Sequence, residues 1–158
     1  MDVSYMNPFI ESVQELFSAM LGCEATRGDL SIADDSCGPR DITAIIGLSG
    51  PTRSTVVLTF PTSTALAVSG RLIGSEVKVV DDTVSDAVGE LVNMVAGSAK
   101  AKLHTGDGEP VDLSLPTVVR GNNYVVGHPK GTTCLNIPFS SELGEFSLRI
   151  SVQQMGKR

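Results

Sequence analysis

The order of patterns along this 158-residue chain predicts an α+β fold: a mostly antiparallel sheet with long helices packed on it. Three observations carry that prediction. Apolar residues recur with helical spacing over Ser4–Leu21, after Pro61, and again over Thr83–Leu103. Runs rich in β-branched residues fill the stretches between and after them, from Asp41 to Phe60 and from Val111 to Gln153. Short turn signals, Ser49-Gly50-Pro51 and Ser140–Gly144, join neighbouring runs in the way an antiparallel hairpin requires.

Taken in order, the first helix presents Ile10, Val13, Phe17, Met20 and Leu21 on one face and meets Gly22 as its stop. Thr26 to Ala33 alternates weakly, as a strand. The stretch from Asp34 to Arg40 is a turn-forming loop; its adjacent Asp34 and Asp35 have no partner cluster that would make a metal site of them. Two strands follow, Asp41–Ser49 and Thr52–Phe60. Pro61-Thr62-Ser63-Thr64 opens a second helix with a Thr or Ser cap, Leu66, Val68, Leu72 and Ile73 lie inside it, and it closes near Gly74. Asp81-Asp82-Thr83 gives the third helix an acidic start that complements its dipole. Thr105–Pro110 is a loop. Strands are then expected at Val111–Leu115, Thr117–Arg120, Gly131–Pro138 and Gly144–Gln153, the last two as a hairpin. Each half holds a helix and a group of strands, a weak internal duplication.

Composition bounds what such a fold can do. With 41% hydrophobic and 19% charged residues the whole chain, residues 1–158, suits one globular domain. Trp is absent and aromatics make up 4%, so the core is expected to consist of Val, Leu, Ile and Ala. A net charge of −6 lacks the basic footprint that nucleic acid demands. No apolar run approaches the roughly 18–20 residues that span a bilayer, so no membrane partner is expected. The N-terminal stretch is acidic and amphipathic, unlike a secretory signal. Cys23, Cys37 and Cys134 are widely spaced with no CxxC pair, which fits reduced thiols in the cytoplasm. His104 and His128 stand alone, and no glycine-rich phosphate loop or dinucleotide fingerprint occurs. The chain is expected to bind no nucleotide or metal by itself.

The third helix carries the chemistry. Val84, Val88, Leu91 and Val95 form its buried stripe, and Asp86, Glu90, Asn93 and Gly97 repeat the same spacing two residues out of phase. At about 100° per residue the two sets face opposite ways. A solvated surface is the ordinary fate of such a polar face, but three features weigh against it. Asn and Gly cost roughly 0.5–1 kcal/mol each in an exposed helix interior. The arc has few of the Lys/Glu pairs that decorate solvated helices, Lys100 alone joining it one turn on. Gly97, beside Ala96 and Ala101, lets another surface approach the backbone.

Asp86, Glu90 and Asn93, with Pro116 far downstream in Ser-Leu-Pro-Thr-Val-Val, resemble the signature of the CheC/CheX/FliY family of chemotaxis phosphatases, and of the CheX branch most of all. That signature is an acidic or Ser residue, then Glu, then Asn three positions on, then a distant Pro. The likeness spans nearly the whole chain. It implies a CheC/CheX-like fold, a cytoplasmic location and a CheY-like response-regulator receiver as partner. It also implies pairing of two copies into a homodimer through their sheets. In the CheC branch a similar Glu/Asn pair can sit on the first helix too. Here that place holds Glu11 and Gln14, one methylene too long, and no second site is expected.

Glu90 and Asn93 supply neither a nucleophile nor a metal cage, so on their own they make no hydrolase. The resemblance implies that the partner brings the aspartyl phosphate, a Mg²⁺ and a lysine. Glu90 would pair with that lysine, and the Asn93 amide would hold a water in line with phosphorus, catalytic roles that fit phosphoryl transfer as positioning chemistry. Asp86, Gly97 and Lys100 would line the docking face, and Pro116 would shape the entry to a strand beside it. Two other classes stay open: a non-catalytic receiver-binding adaptor using the same face, and a structural protein in which Glu90 and Asn93 are mere surface.

Overall fold

The computed structural model describes residues 3–32, 41–50, 53–103, 111–121 and 132–153. Asp34, Asp35, Cys37, His104, the Thr105–Pro110 stretch and His128 lie outside that set.

The first helix is built in three gauges. A 3₁₀ turn at Val3–Met6 leads into α1 (Asn7–Leu16), which widens into a π turn at Phe17–Leu21 before Gly22 ends it at φ 66°. Glycine alone takes that left-handed conformation without cost. Ile10, Val13, Phe17 and Leu21 are buried as their spacing predicts. Met20 is not, at 51% exposure. The π turn is the reason: the Gly22 N–H bonds Phe17 O, and the wider turn rotates Met20 outward while keeping Leu21 inside.

α2 (Thr62–Ile73) starts where expected, but no Thr or Ser of its own caps it. Asp41 does: its Oδ2 accepts hydrogen bonds from Thr62 N–H and Thr62 Oγ1–H, both at 2.9 Å. Ile42 pairs with Phe60 across the sheet, which brings the preceding Asp41 beside the first turn of α2. Val68 is buried and Leu66 and Leu72 half-buried, whereas Ile73, in the last turn, is exposed. α3 (Asp82–Leu103) begins as its acidic start predicts, with Asp81 Oδ1 accepting from Thr83 N–H at 3.0 Å.

Among the described residues, eight strands form one antiparallel sheet: β1 (Thr26–Arg27), β2 (Ser31–Ile32), β3 (Ile42–Ser49), β4 (Arg53–Phe60), β5 (Asp112–Leu113), β6 (Thr117–Arg120), β7 (Thr132–Ser141) and β8 (Gly144–Gln153). Their order is β1-β7-β8-β4-β3-β5, with β2 also on β7 and β6 also on β3. The weak alternation after Thr26 thus yields two short edge pairings rather than one strand, and the Val111–Leu115 run shrinks to Asp112–Leu113. Two long hairpins, β3–β4 and β7–β8, dominate and are joined where β4 pairs with β8. At the tip of the second, Gly144 has φ 127°, and a β-carbon there would collide with Thr64 Oγ1, which donates to Glu145 O at 2.9 Å and ties α2 to the hairpin.

The helices cover one face of the sheet. Ile42, Ala44, Ile46 and Leu48 of β3, Val56, Leu58 and Phe60 of β4, and Leu148 and Ile150 of β8 meet Val84, Val88, Leu91, Val92 and Val95 of α3 in one continuous core. The core is not purely aliphatic. All five phenylalanines are buried, and Phe17, Phe60 and Phe139 stack around Phe146 with ring centroids 4.8, 5.5 and 5.1 Å away. A few large rings supply what scarce aromatics did not promise. α3 lies between α1 and α2; Ser12 Oγ and Ser98 Oγ share a hydrogen bond at 3.0 Å, and Lys102 Nζ meets Glu15 Oε1 at 2.9 Å. That packing fixes which side of α3 faces out.

Candidate functional site

More than half of the circumference of α3 is buried. Besides the expected stripe, Ala87, Gly89, Val92, Ala96 and Ala99 are covered too. On the outer side lies an arc holding Asp86 and Glu90, both exposed, and Asn93, Gly97 and Lys100, half-buried, with half-buried Met94 and exposed Ala101 on its flank. The five predicted site residues therefore share one face. Among the described residues none hydrogen-bonds or ion-pairs with the side chains of Glu90 or Asn93. A β-carbon on Gly97 would meet nothing within 4 Å, so this glycine leaves open space over the helix rather than serving the chain's own packing. Glu11 of α1 is exposed and Gln14 half-buried, on a different helix.

One edge of the arc has a wall. A β-carbon built on Gly89 would stand 3.3 Å from Val118 Cγ2 and 4.0 Å from Pro116 Cγ. Glycine at 89 thus lets β6 and the residue before it close onto the helix, a role the sequence pattern gave no hint of. Pro116 comes to α3 as expected. At about 100° per residue Asn93 lies about 40° round the helix from Gly89, and Glu90 about 100°. Asn93 stands near the wall and Glu90 on the open side. At the N-terminal end Arg120 Nη2 lies 3.6 Å from Asp82 Oδ1, so β6 runs beside α3 with Arg120 level with Asp82 and Val118 and Pro116 level with Gly89.

The wall depends on a β-bulge. Leu113 pairs with Leu48 and Thr117 with Ile45, so three residues, Ser114 to Pro116, oppose Ile46 and Gly47 of β3. The extra residue is absorbed at Ser114, whose N–H donates to Gly47 O at 2.9 Å while its Oγ accepts from Gly47 N–H at 2.9 Å. The hydroxyl replaces a carbonyl in the ladder. Past the bulge the alternation of faces is reversed: Leu113 and Val118 both pack on the core, Pro116 turns to Gly89, and Leu115 is thrown outward.

The arc is convex. A hollow of about 730 Å³ lies elsewhere, along α2 between Leu66, Arg71, Val77 and Leu143. No group of three His, Cys, Asp or Glu side chains converges among the described residues. No helix among them is long and apolar enough to cross a membrane. A carboxylate and an amide on a ridge, three residues apart and about 5–6 Å between β-carbons, can enter another protein's cleft more readily than enclose a small molecule.

The chain is similar to known proteins along nearly its whole length. The family model described as chemotaxis phosphatase CheX matches residues 42–140. The CheY-P phosphatase CheX of Thermotoga maritima is 34% identical, with the match covering 99% of this chain and 100% of that protein. A CheC-like superfamily protein from Shewanella sp. PV-4 superposes with a TM-score of 0.86 at 31% identity, over 97% of this chain and 99% of its own. A fourth likeness, at 23% identity and a TM-score of 0.82 over 96% of this chain and 99% of that one, is to the CheX–CheY–BeF3–Mg²⁺ complex from Borrelia burgdorferi and shows the shared fold.

Proposed function

Because the chain belongs to the CheX family of chemotaxis phosphatases, we propose that it hydrolyses the aspartyl phosphate of a CheY-like receiver domain by inserting the Glu90–Asn93 face of α3 into the receiver's site. The carrying observation is the arrangement of that face: Glu90 exposed and Asn93 half-buried, neither committed to a partner among the described residues, on a ridge whose other sides are packed. The 34% identical Thermotoga relative, named a CheY-P phosphatase, supports the choice of substrate.

In this proposal the chain acts as one domain, in the cytoplasm, and each of its groups does one task. The Glu90 carboxylate reaches from the open side of the arc and pairs with a lysine of the receiver, which sets the docking register. The Asn93 amide, held beside the Pro116 wall, accepts from and donates to one water and holds it in line with phosphorus. Asp86 and Lys100 flank the contact, and Gly97 leaves room for the receiver's backbone. A Mg²⁺ expected in the receiver would neutralise charge on the phosphoryl oxygens. Positioning and fixed charge are what phosphoryl transfer needs, so two side chains suffice once the partner supplies the rest.

The test is phosphate release from a panel of phosphorylated receivers. The wild-type chain should accelerate it for at least one, and Asn93→Ala should bind that receiver yet lose turnover. Binding without accelerated release by the wild type would make the chain an adaptor instead.

A further inference from the structure

Pro116 has no N–H and cannot donate to the sheet. Its place is set by its neighbours on either side. After it, Thr117 pairs with Ile45 and starts β6. Before it stands the Leu115–Pro116 peptide, held by one hydroxyl. Ser114 Oγ donates to Leu115 O at 3.1 Å and accepts from the Gly47 N–H of β3 at 2.9 Å. The hydroxyl thus ties the peptide that carries Pro116 to the sheet.

That tie matters because of where Pro116 ends. Its Cγ lies 4.0 Å from the point that a β-carbon on Gly89 would occupy. Asn93 follows Gly89 by one turn of α3, and helical side chains lean toward the N-terminus of their helix, over the turn before them. The half-buried Asn93 side chain therefore leans back over Gly89, toward the proline ring. Gly89 adds no side chain of its own to that space. The ring bounds the swing of the amide on the sheet side. Proline's fixed φ, and the restriction it places on Leu115, make that boundary stiff.

We infer that Ser114 is a positioning residue of the phosphatase reaction: its hydroxyl, through the Leu115 carbonyl and Pro116, holds the boundary against which the Asn93 amide is aimed at the attacking water. The inference rests on the phosphatase function proposed above and adds to it a residue that acts only through others. Without the hydroxyl, the Leu115–Pro116 peptide loses its tie to Gly47, the ring shifts, and the amide samples orientations that leave the water out of line. Docking through Glu90 and the rest of the arc is unaffected. In-line attack depends steeply on alignment, so the loss falls on kcat.

The test uses the full chain, the receiver that the wild type dephosphorylates fastest, and the variants Ser114→Ala, Ser114→Val, Ser114→Thr and Pro116→Ala, with the double variant Ser114→Ala/Pro116→Ala. Ser114 is exposed, so none of its replacements opens a cavity in the core, and urea midpoints check that each chain is folded. Valine and threonine side chains share a branched shape and differ in the hydroxyl, which separates the hydrogen bonds from the space they occupy. Ser114→Ala and Ser114→Val should lower kcat about tenfold and leave KM, and the Kd for the beryllofluoride-treated receiver, within about twofold of wild type. Ser114→Thr should restore kcat. The double variant should be no slower than Pro116→Ala alone, since both changes remove the same boundary. If Ser114→Ala and Ser114→Val turn over like the wild type while Asn93→Ala abolishes turnover, Ser114 only shapes the sheet and the phosphatase function stands. The inference is also overturned if Ser114→Thr is as slow as Ser114→Val, if the losses multiply in the double variant, or if KM rises with kcat unchanged. If the wild type accelerates phosphate release from no receiver, both readings fall together.

Discussion

Val118 Cγ2 of β6 stands 3.3 Å from the point that a β-carbon on Gly89 of α3 would occupy. That closeness holds the Pro116 wall against the helix, one turn from Asn93. Gly89→Val should destabilise the fold by about 1–3 kcal/mol through overpacking, measured by urea denaturation. Gly89→Ala separates the effects. Its gain in helix propensity, up to about 1 kcal/mol, offsets a small displacement of Val118. Stability should stay near wild type while turnover falls as the wall moves. Unchanged turnover in Gly89→Ala would show that the wall does not position Asn93.

Replacing Asn93 by Asp keeps shape and changes charge. The added carboxylate would face the phosphoryl oxygens and could no longer donate to them or to the water. Asn93→Asp should lose at least about 100-fold in kcat and bind the beryllofluoride-treated receiver more weakly than Asn93→Ala does. Rapid-quench turnover and a binding titration at one ionic strength check both halves.

Glu90 is predicted to act through charge. With the wild type, kcat/KM should fall as salt is raised, because the pair with the receiver lysine is screened. Glu90→Gln should begin about tenfold lower and depend little on salt. A variant with the same salt slope as the wild type would place the steering charge elsewhere.

Tyr5 gives the fold a pH dependence of known sign. Burial raises its pKa above the usual 10.0, against a smaller lowering by its hydrogen bond with Ser54 at 2.9 Å. The folded state thus prefers the neutral phenol. Its contribution is whole below pH 10 and is lost as pH rises from there through the higher folded value. Stability of the wild type relative to Tyr5→Phe should be level from neutral to mildly alkaline pH and then decline above pH 10, as read from urea midpoints.

Much of this was legible in the sequence because it was written in periodicity. Val84, Val88, Leu91 and Val95 announced the buried stripe, and the polar set two residues out of phase had to face away. The β-branched runs gave β3, β4, β6 and the last hairpin. What escaped was written in contacts between distant residues. Asp41 caps α2 only because Ile42 pairs with Phe60, a matter of register rather than local spacing. Gly89 carries no signal in the local pattern, and its role emerges only where Val118 is brought to it. Met20 fitted an ideal helix and was misplaced by one π turn. The bulge at Ser114 reversed an alternation that Val111–Leu115 alone would have continued. Such features depend on the partner strand, and no local window contains it.

The place of β8 has a consequence for how the molecule comes into being. It is the last strand in chain order, yet it lies inside the sheet, between β4 and β7. Until it has been synthesised, the β3–β4 hairpin and β7 have no common neighbour, and Phe146, around which three other rings stack, is missing from the core. A nascent chain that has not yet reached β8 can therefore form its helices but cannot close its sheet. Closure of the sheet waits for β8 and is limited by long-range pairing, and the exposed edge of β4 is what a chaperone meets in the interval.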